Sequence, residues 1–316
     1  MAKRRKQGRP LDGVLLFDKP SGISSNQALQ QVKRLYYAQK AGHTGSLDPL
    51  ASGLLPICFG EATKFSHYLL AADKGYYFQA KLGERTTTSD ADGEIVSSSA
   101  VNVTGKQLDD VVSAYRGKIQ QIPSMYSALK HKGKPLYKYA REGIEIERES
   151  RPIEVYRLEI TEHKDSFISG FVHCSKGTYV RTLIDDIGQD LGCGAHLTQL
   201  RRSQVGDFDG PGVTLEQLEK MKDEKQHPEM DALLLPVDSG LQHFPKIELG
   251  DDLAYYMRFG QAVFIPGVPA NTLLRLYHAG TFIGLGELDN DGKVAPRRLC
   301  VRNEDAPATE SAETPS

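Results

Sequence analysis

The chain has 316 residues, 25% of them charged and 39% hydrophobic, a balance typical of a soluble globular protein of about two domains. No run approaches the ~20 apolar residues of a membrane helix, and the basic N-terminus has no apolar signal-peptide core behind it, so a cytoplasmic protein without a membrane span is expected. The four scattered cysteines form no C-x-x-C pair, which argues against a disulfide framework or a zinc knuckle, and no metal is implied.

The net charge of -2 hides an uneven distribution. Residues 1–10 carry five basic residues and no acid, residues 303–316 carry four acids and no base, and both are predicted to be disordered tails. The basic arm is either a weak nucleic-acid contact or a solubilising tail. Residues 130–141 also carry five basic residues and no acid, interleaved with Tyr137 and Tyr139. That composition is typical of a segment that binds phosphates along a nucleic-acid backbone and stacks on bases. A solvated face with ordinary surface lysines has the same composition.

The first predicted elements lead to a glycine-rich loop. The apolar run 13–17 predicts a buried strand followed by a turn. Ser24 or Asn26 can cap the helix that follows, and Gly42 is expected just past its end. This helix is followed by the glycine-rich loop, residues 42–56, GHTGSLDPLASGLLP.

Asp48 is the one acid in that loop. Pro49 biases it away from helical geometry, so the carboxylate is expected on a shaped loop packed against a core. The alternative is that Asp48 caps a short helix beginning at Pro49. His43 precedes the acid and is either a structural hydrogen-bonding group or a substrate contact. Lys64 follows the loop and is either an exposed lysine or a phosphate contact.

The middle of the chain alternates strands with helices. Residues 73–82 predict a strand on which Tyr76 shares a buried face, either as core or as a ring able to stack in a cleft. Residues 86–94 are read as a turn with only a fragment of a calcium-loop pattern. Thr104 and Gln107 predict a capping box, and strands are expected at 153–160 and 167–174.

Thr178 is expected to cap a helix that carries Arg181 in its first turn, off the apolar stripe. Asp185, four residues on, is one possible partner, and an exposed pair of this kind contributes only about 0.3–0.5 kcal/mol. Because a cation in a first turn opposes the helix dipole, a partner outside the helix is the other possibility.

The last third changes character. An amphipathic helix is predicted at 214–221, and from residue 246 short apolar runs alternate with Gly, Pro and Asn-Asp-Gly turns. This pattern predicts a small β-barrel.

The sequence motifs resemble those of the bacterial TruB-type tRNA pseudouridine synthases, and they occur in the family's order over residues 11 to 302. The resemblance is carried by GHTG at 42–45, LDPLA at 47–51, GLLP at 53–56, DKP at 18–20, GEATK at 60–64, TSDADG at 88–93, QIPSMYSALK at 121–130 and CSKGTYVR at 174–181. It implies an α+β fold with a mixed, mostly antiparallel sheet of pseudouridine-synthase type and flanking helices, plus a small C-terminal β-barrel, PUA-like domain. The implied boundaries are a basic arm at 1–10, a catalytic domain at 11–245 with an RNA-gripping insertion at about 124–151, a PUA-like domain at 246–302 and an acidic tail at 303–316.

The resemblance also implies the chemistry: isomerisation of uridine to pseudouridine at position 55 in the T loop of tRNA, by base flipping, with Asp48 as nucleophile. Arg181 is its implied partner, and Tyr76 is expected to stack on the base and to move a proton late. The other implied substrate-binding residues are His43, Tyr179, Leu200, Lys64, Lys130 and Lys132. No cofactor is needed because substrate and product are isomers. The T-arm stem-loop is the expected partner, with no obligate protein partner, and a monomer is expected.

The residue chemistry gives a reason to join Asp48 and Arg181. Burial alone raises a carboxyl pKa, whereas a close arginine lowers it and preserves the charge that a nucleophile needs. A competing hypothesis is a tRNA-binding or tRNA-folding protein in which Asp48 is structural. Hydrolysis by a pair of acids lacks a second carboxylate, because the nearby candidates are read as turn residues: Asp18, Asp73, Asp90 and Asp92.

Overall fold

The computed structural model describes residues 7–268 and 272–300. The N-terminal residues 1–6, and the acidic tail expected at 303–316, lie outside the described residues. The strands are β1 (Gly13–Lys19), β2 (Ala41–His43), β3 (Ser52–Phe59), β4 (Lys74–Leu82), β5 (Glu84–Thr86), β6 (Ile95–Ser98), β7 (Gly117–Gln121), β8 (Lys130–His131), β9 (Lys134–Pro135), β10 (Arg151–Lys164), β11 (Phe167–Cys174), β12 (Ala195–Val205), β13 (Phe208–Asp209), β14 (Val213–Thr214), β15 (Lys246–Leu249), β16 (Leu273–His278), β17 (Thr281–Leu288) and β18 (Val294–Leu299). The helices are α1 (Ser25–Leu35), α2 (Ser66–Ala71), α3 (Gly105–Ala114), α4 (Leu136–Arg141), α5 (Val180–Asp190), α6 (Leu215–Asp223), α7 (His227–Ala232) and α8 (Asp251–Arg258).

One large sheet organises the first 245 residues. Its strand order is β14-β1-β3-β12-β4-β11-β10-β7, with β2 paired to β3 and β13 paired to β12. The β1–β14 and β12–β3 pairs are parallel and the other pairs are antiparallel. The predicted mixed, mostly antiparallel sheet is therefore confirmed.

Capping boxes set the starts of α1 and α3, where the sequence predicts a cap at Ser24 or Asn26 and a capping box at Thr104 and Gln107. The Ser24 hydroxyl accepts a hydrogen bond from the Gln27 amide at the start of α1, and Thr104 and Gln107 do the same for α3. The prediction that α1 ends near Gly42 is wrong, because the helix stops at Leu35 and Gly42 lies in β2. Tyr37, with a positive φ, turns the chain out of the helix instead.

Strand β4 lies at the centre of the sheet and α5 packs against its neighbour. The predicted inward face of β4 is confirmed, since Tyr76, Phe78, Ala80 and Leu82 are all buried while Tyr77 is exposed. Helix α5 is nearly enclosed by the core, with its first six residues all buried. The prediction that Thr178 caps α5 is wrong. Its hydroxyl bonds the Ser175 carbonyl, and Tyr179 occupies the cap position without a side-chain cap.

The C-terminal strands form a second sheet around their own core. The order is β15-β16-β17-β18, with α8 packed against it and Leu249, Met257 and Leu276 buried between them. The strands predicted from the turn pattern are confirmed, but the described residues form an open four-stranded sheet and not the predicted closed barrel. Among the described residues, β15 and β18 are the two edges of this sheet.

The two sheets are joined by buried contacts. Phe65 and Leu241 pack against Leu285 of β17, and Arg275 of β16 forms a 2.9 Å ion pair with Asp238. No helix in the described part of the chain is long and apolar enough to cross a membrane.

Candidate active site

Asp48 lies on the loop between β2 and β3. The Ser25 hydroxyl of α1 holds this loop, accepting from the Leu47 amide at 2.7 Å and donating to the Leu47 carbonyl at 2.9 Å. No helix begins at Pro49; the chain bends there and enters β3. The alternative in which Asp48 caps a helix is therefore wrong, and the carboxylate is free of that role.

The expected ion pair between Arg181 and Asp48 is present. Arg181 Nε lies 3.0 Å from Asp48 Oδ2, and the arginine side chain is only 7% exposed. Its other nitrogens are also used: Nη1 lies 3.1 Å from Asp90 Oδ2, and Nη2 donates to the Tyr126 carbonyl at 3.2 Å. Asp185 is not its partner, because that carboxylate forms a two-pronged ion pair with Arg85.

Asp90 is a functional candidate that its sequence context does not reveal. The sequence predicts an ordinary turn residue, yet its side chain is 4% exposed and accepts hydrogen bonds from the Thr88 hydroxyl and the Asp92 amide. The reading of Asp18 as a turn residue is also wrong, since it lies in β1 and pairs with Arg201. Only Asp90 among these acids contacts Arg181, so Arg181 joins two carboxylates.

The surroundings raise the pKa of Asp48 above its usual 3.8. Loss of water by burial is the largest cause, and the charge of Asp90 and Asp92 adds to it. Arg181 and Lys19 act in the opposite direction, as expected of nearby cations, but they do not cancel the burial. The carboxyl still keeps 44% of its side-chain surface exposed, so a ligand can reach it.

A cavity of about 360 Å³ opens beside this ion pair. Asp48, Arg181, Tyr76, Tyr179 and Leu200 all line it, so five of the predicted site residues meet in one place. A second cleft of about 720 Å³ shares Asp48 and Arg181 and is also lined by His43 and by residues of the insertion. The Asp48 carboxylate therefore lines both the 360 Å³ cavity and the larger cleft.

The aromatic walls of the cavity are fixed by neighbouring strands. Tyr76 stands on β4 opposite Arg202 of β12, and burial raises the pKa of its phenol. Tyr179 is held through its backbone, since the Gln121 side chain accepts from its amide at 2.8 Å and donates to its carbonyl at 3.1 Å.

Burial, and then Arg202, lowers the pKa of His43, so this imidazole is neutral near pH 7.

The predicted lysines lie away from the deep cavity. Lys130 and Lys132 are exposed on the β8–β9 hairpin of the insertion, and in the described ranges no carboxylate lies within 4.0 Å of either one. Lys134 is neutralised by Glu142, which the charge pattern of 130–141 did not show. Lys64 lines neither cleft; it pairs with Glu61 and donates to the Leu299 carbonyl at 3.0 Å.

Metal ligands do not cluster at this site. Across residues 7–268 and 272–300, no group of three or more His, Cys, Asp or Glu side chains is placed to hold a metal ion.

The fold of this chain is similar to that of a solved structure. The fold matches a structure described as an H/ACA ribonucleoprotein bound to a substrate RNA containing 2'-deoxyuridine, with a TM-score of 0.70, 22% sequence identity, and coverage of 95% of this chain and 92% of that one. The mixed sheet and the C-terminal sheet have the architecture of a pseudouridine-synthase fold with a PUA-like domain, a class that rests on this match together with the family matches of the C-terminal residues.

Family profiles then place the chain within that class. Residues 33–180 match the TruB family pseudouridylate synthase N-terminal domain, residues 181–242 the tRNA pseudouridylate synthase B C-terminal domain, and residues 245–300 the pseudouridine synthase II TruB C-terminal region. The chain is 52% identical over 312 residues to tRNA pseudouridine synthase B of Yersinia pestis (strain Pestoides F), covering 96% of each protein. It is 53% identical over 310 residues to the protein of that name from Vibrio vulnificus (strain YJ016), covering 95% of this chain and 98% of the relative. The chain belongs to the TruB family of pseudouridylate synthases, and it is an enzyme that isomerises uridine in tRNA.

Proposed function

We propose that this enzyme converts the uridine at position 55, in the T loop of tRNA, to pseudouridine, and that Asp48 is the nucleophile. The observation that carries the proposal is the Arg181–Asp48 ion pair at the edge of a cavity walled by Tyr76, Leu200 and Tyr179. A carboxylate in this position can form a covalent bond to the nucleoside and later release it.

Arg181 suits the needs of this chemistry. The carboxylate must be deprotonated to attack, and burial works against that charge. Arg181 both favours the charged form and, through its contacts with Asp90 and the Tyr126 carbonyl, fixes the direction from which Asp48 meets the substrate. The walls around the cavity limit the access of water, which would otherwise compete with the base for the sugar.

Base flipping explains why a cavity lies behind the carboxylate. A uridine inside a folded loop must leave its stack, which costs a few kcal/mol. Stacking on Tyr76, which lines the cavity, offsets that cost, and in this proposal Tyr76 also moves a proton in a late step. Leu200 and Tyr179 complete the pocket.

The remaining predicted contacts form the outer RNA surface in this proposal. His43 meets the loop in the broader cleft, while Lys130 and Lys132 approach the phosphates of the stem. Lys64 contacts RNA near the junction with the C-terminal sheet. We assign residues 11–245 to catalysis and 246–302 to additional RNA binding, and we infer a cytoplasmic monomer that acts without a protein partner.

Tritium release tests the proposal. A T-arm stem-loop carrying tritium on C5 of its uridines is incubated with wild type, with Asp48→Asn and with the control Asp18→Asn, which removes an ion-paired carboxylate outside the cavity. We expect release from wild type and the control, and none from Asp48→Asn, with stem-loop affinity retained by all three.

The competing binding-only role for this stem-loop gives a different result. In that case wild type binds the stem-loop without releasing tritium. Equal release from wild type and Asp48→Asn would show instead that Asp48 is not the nucleophile.

A further inference from the structure

Arg202 is a buried arginine that no carboxylate of residues 7–268 and 272–300 pairs with. Its side chain is 2% exposed, and it donates from Nε to the Leu54 carbonyl at 2.7 Å and from Nη2 to the Gly45 carbonyl at 3.4 Å. No acid of the described chain lies within 4.0 Å of it, whereas Arg181, the other buried arginine of the cavity, has two. A buried charge is normally paired, because removal from water is costly.

The position of Arg202 connects this charge with the active site. It stands opposite Tyr76 in the β12–β4 register and lines the 360 Å³ cavity together with Leu200. Its charge acts on several groups around the site: it contributes to the lowered pKa of His43 and of Lys74, and it offsets part of the rise that burial causes in the pKa of Tyr76. Gly45 lies against it, so that even an added methyl group there would sit 3.5 Å from Nη1.

The reaction creates a negative charge that this cation matches. When the C1'–N1 bond breaks, its electron pair stays with the uracil ring and spreads onto the O2 and O4 carbonyl oxygens. The C5–C1' bond then forms, C5 loses its proton and N1 takes one up, which restores a neutral base. The base is electron-rich in between, whether Asp48 attacks the sugar or the base.

We propose that Arg202 provides the positive charge that stabilises the detached uracil base inside the cavity. This proposal rests on the function proposed above and adds a second electrostatic group to it. Fixed charges aimed at developing charge in a site with little water are strong contributors to catalysis. An unpaired arginine is better suited to this task than Arg181, whose charge is already balanced by Asp48 and Asp90.

Single-turnover kinetics on the T-arm stem-loop provide the first test. Arg202→Met keeps most of the side-chain volume without the charge, and Arg202→Lys keeps the charge. We expect Arg202→Met to lower the rate constant by about 10²–10³-fold, the usual effect of removing one such stabilising group, with Arg202→Lys recovering part of the loss. The stem-loop dissociation constant should change by less than about twofold, because the interaction develops in the transition state.

Arg201→Met is the matched control. Arg201 is the neighbouring residue of β12, but its side chain is half exposed and pairs with Asp18 instead of lining the cavity. Its replacement should leave the rate constant nearly unchanged. A loss as large as that of Arg202→Met would overturn the proposal.

A change of leaving group separates an electrostatic role from a structural one. Fluorine at C5 withdraws electrons and stabilises the base anion, so a stem-loop with 5-fluorouridine at the target position should depend less on Arg202. Because fluorine does not leave as the C5 proton does, disappearance of the starting nucleoside is followed by chromatography. We expect the Arg202→Met loss to shrink at least tenfold, and an equal loss on both substrates would contradict the proposal.

The two proposals fail in distinguishable ways. Wild type that does not convert the T-loop uridine contradicts the proposed function, whereas active wild type with an Arg202→Met variant of equal rate contradicts only the role of Arg202. Should Arg202→Met not fold, Arg202→Gln retains a donor for the Leu54 carbonyl and is compared on both substrates in the same way.

Discussion

The two carboxylates on either side of Arg181 differ in exposure. The Asp48 side chain is 44% exposed and the Asp90 side chain 4%. If Asp48 loses its charge by forming an ester, Arg181 still faces Asp90, and the protein is spared an uncompensated buried cation. The exposed acid can therefore react while the buried acid keeps the arginine in place.

The raised pKa of Asp48 predicts a pH dependence. The protonated form of Asp48 is favoured up to a higher pH than for an ordinary Asp. In the proposed mechanism only the charged form attacks, so activity should fall as the pH drops through the raised pKa. Asp92 is exposed and its charge contributes to the elevation. Asp92→Asn should therefore move the midpoint of the single-turnover pH profile to lower pH.

The matched control for that profile is Glu94→Gln. This removes a nearby acid that does not contribute to the pKa of Asp48. A midpoint that moves upward in Asp92→Asn, or by the same amount in Glu94→Gln, would contradict this account.

At the residue scale, the sequence could predict Asp48 and Arg181 but not Arg202. The motifs contain the first two, whereas Arg201 and Arg202 look alike in the sequence. Strict alternation from the buried Leu197 places Arg201 inside and Arg202 outside. The irregular register after Leu197 shifts the alternation by one residue, so that Arg202 faces the cavity.

Helix α5 positions Arg181 through its close approach to β12. Gly188 lies where the helix meets that strand, and a Cβ added to it would stand 2.2 Å from the Ala195 amide nitrogen. Any side chain at this position must push the helix and the strand apart. The place of Arg181 in the site thus depends on a glycine two turns further along the helix.

Gly188→Ala should lower both stability and turnover. Overpacking typically costs about 1–3 kcal/mol, more than the roughly 0.5–1 kcal/mol that alanine gains over glycine within a helix. We expect a lower thermal midpoint and a reduced single-turnover rate. Gly105→Ala in the first turn of α3 is the control, because a Cβ there meets nothing within 4 Å. A Gly188→Ala protein with wild-type stability would refute this packing argument.

The elements themselves were only partly predictable. The capping boxes of α1 and α3 use contacts three residues apart, so the sequence contains everything needed to place those helix starts. The start of α5 depends instead on Gln121, which lies on β7 and binds the Tyr179 backbone from 58 residues away. No local pattern reveals such a partner.

The C-terminal sheet is anchored to the rest of the molecule by a buried ion pair. Arg275 of β16 contacts Asp238, Gln242 and the Phe244 carbonyl, so one side chain binds three points of the preceding segment. Apolar contacts of Phe65 and Leu241 with Leu285 surround this anchor. The C-terminal sheet is therefore fixed in direction relative to the active site.

Asp238→Ala should loosen this anchor. Removing one partner of a buried pair typically costs about 3–5 kcal/mol, so we expect a lower thermal midpoint. Affinity for full-length tRNA should fall more than affinity for the T-arm stem-loop, because we propose that the C-terminal sheet binds a part of the tRNA that the stem-loop lacks. Asp110→Ala, which breaks an exposed pair with Lys106 in α3, is the control. Equal losses for the two RNAs would contradict the predicted role of the anchor.

At the scale of the whole chain, the sequence predicted most strands but not their order. Local alternation and turns mark where a strand begins and ends, as in β16 to β18. Which strands become neighbours depends on contacts between distant segments, such as Phe17 with Val213. These contacts leave no periodic signal.

The strand order also determines when, during synthesis of the chain, the cavity can form. Strands β3 and β4 are close in sequence, yet β12 lies between them in the sheet and brings Leu200 and Arg202 with it. While a ribosome is still making the first 194 residues, the halves of the cavity that carry Asp48 and Tyr76 have no strand to join them. The nascent enzyme therefore stays inactive, with open sheet edges that need protection, until that last central strand has emerged.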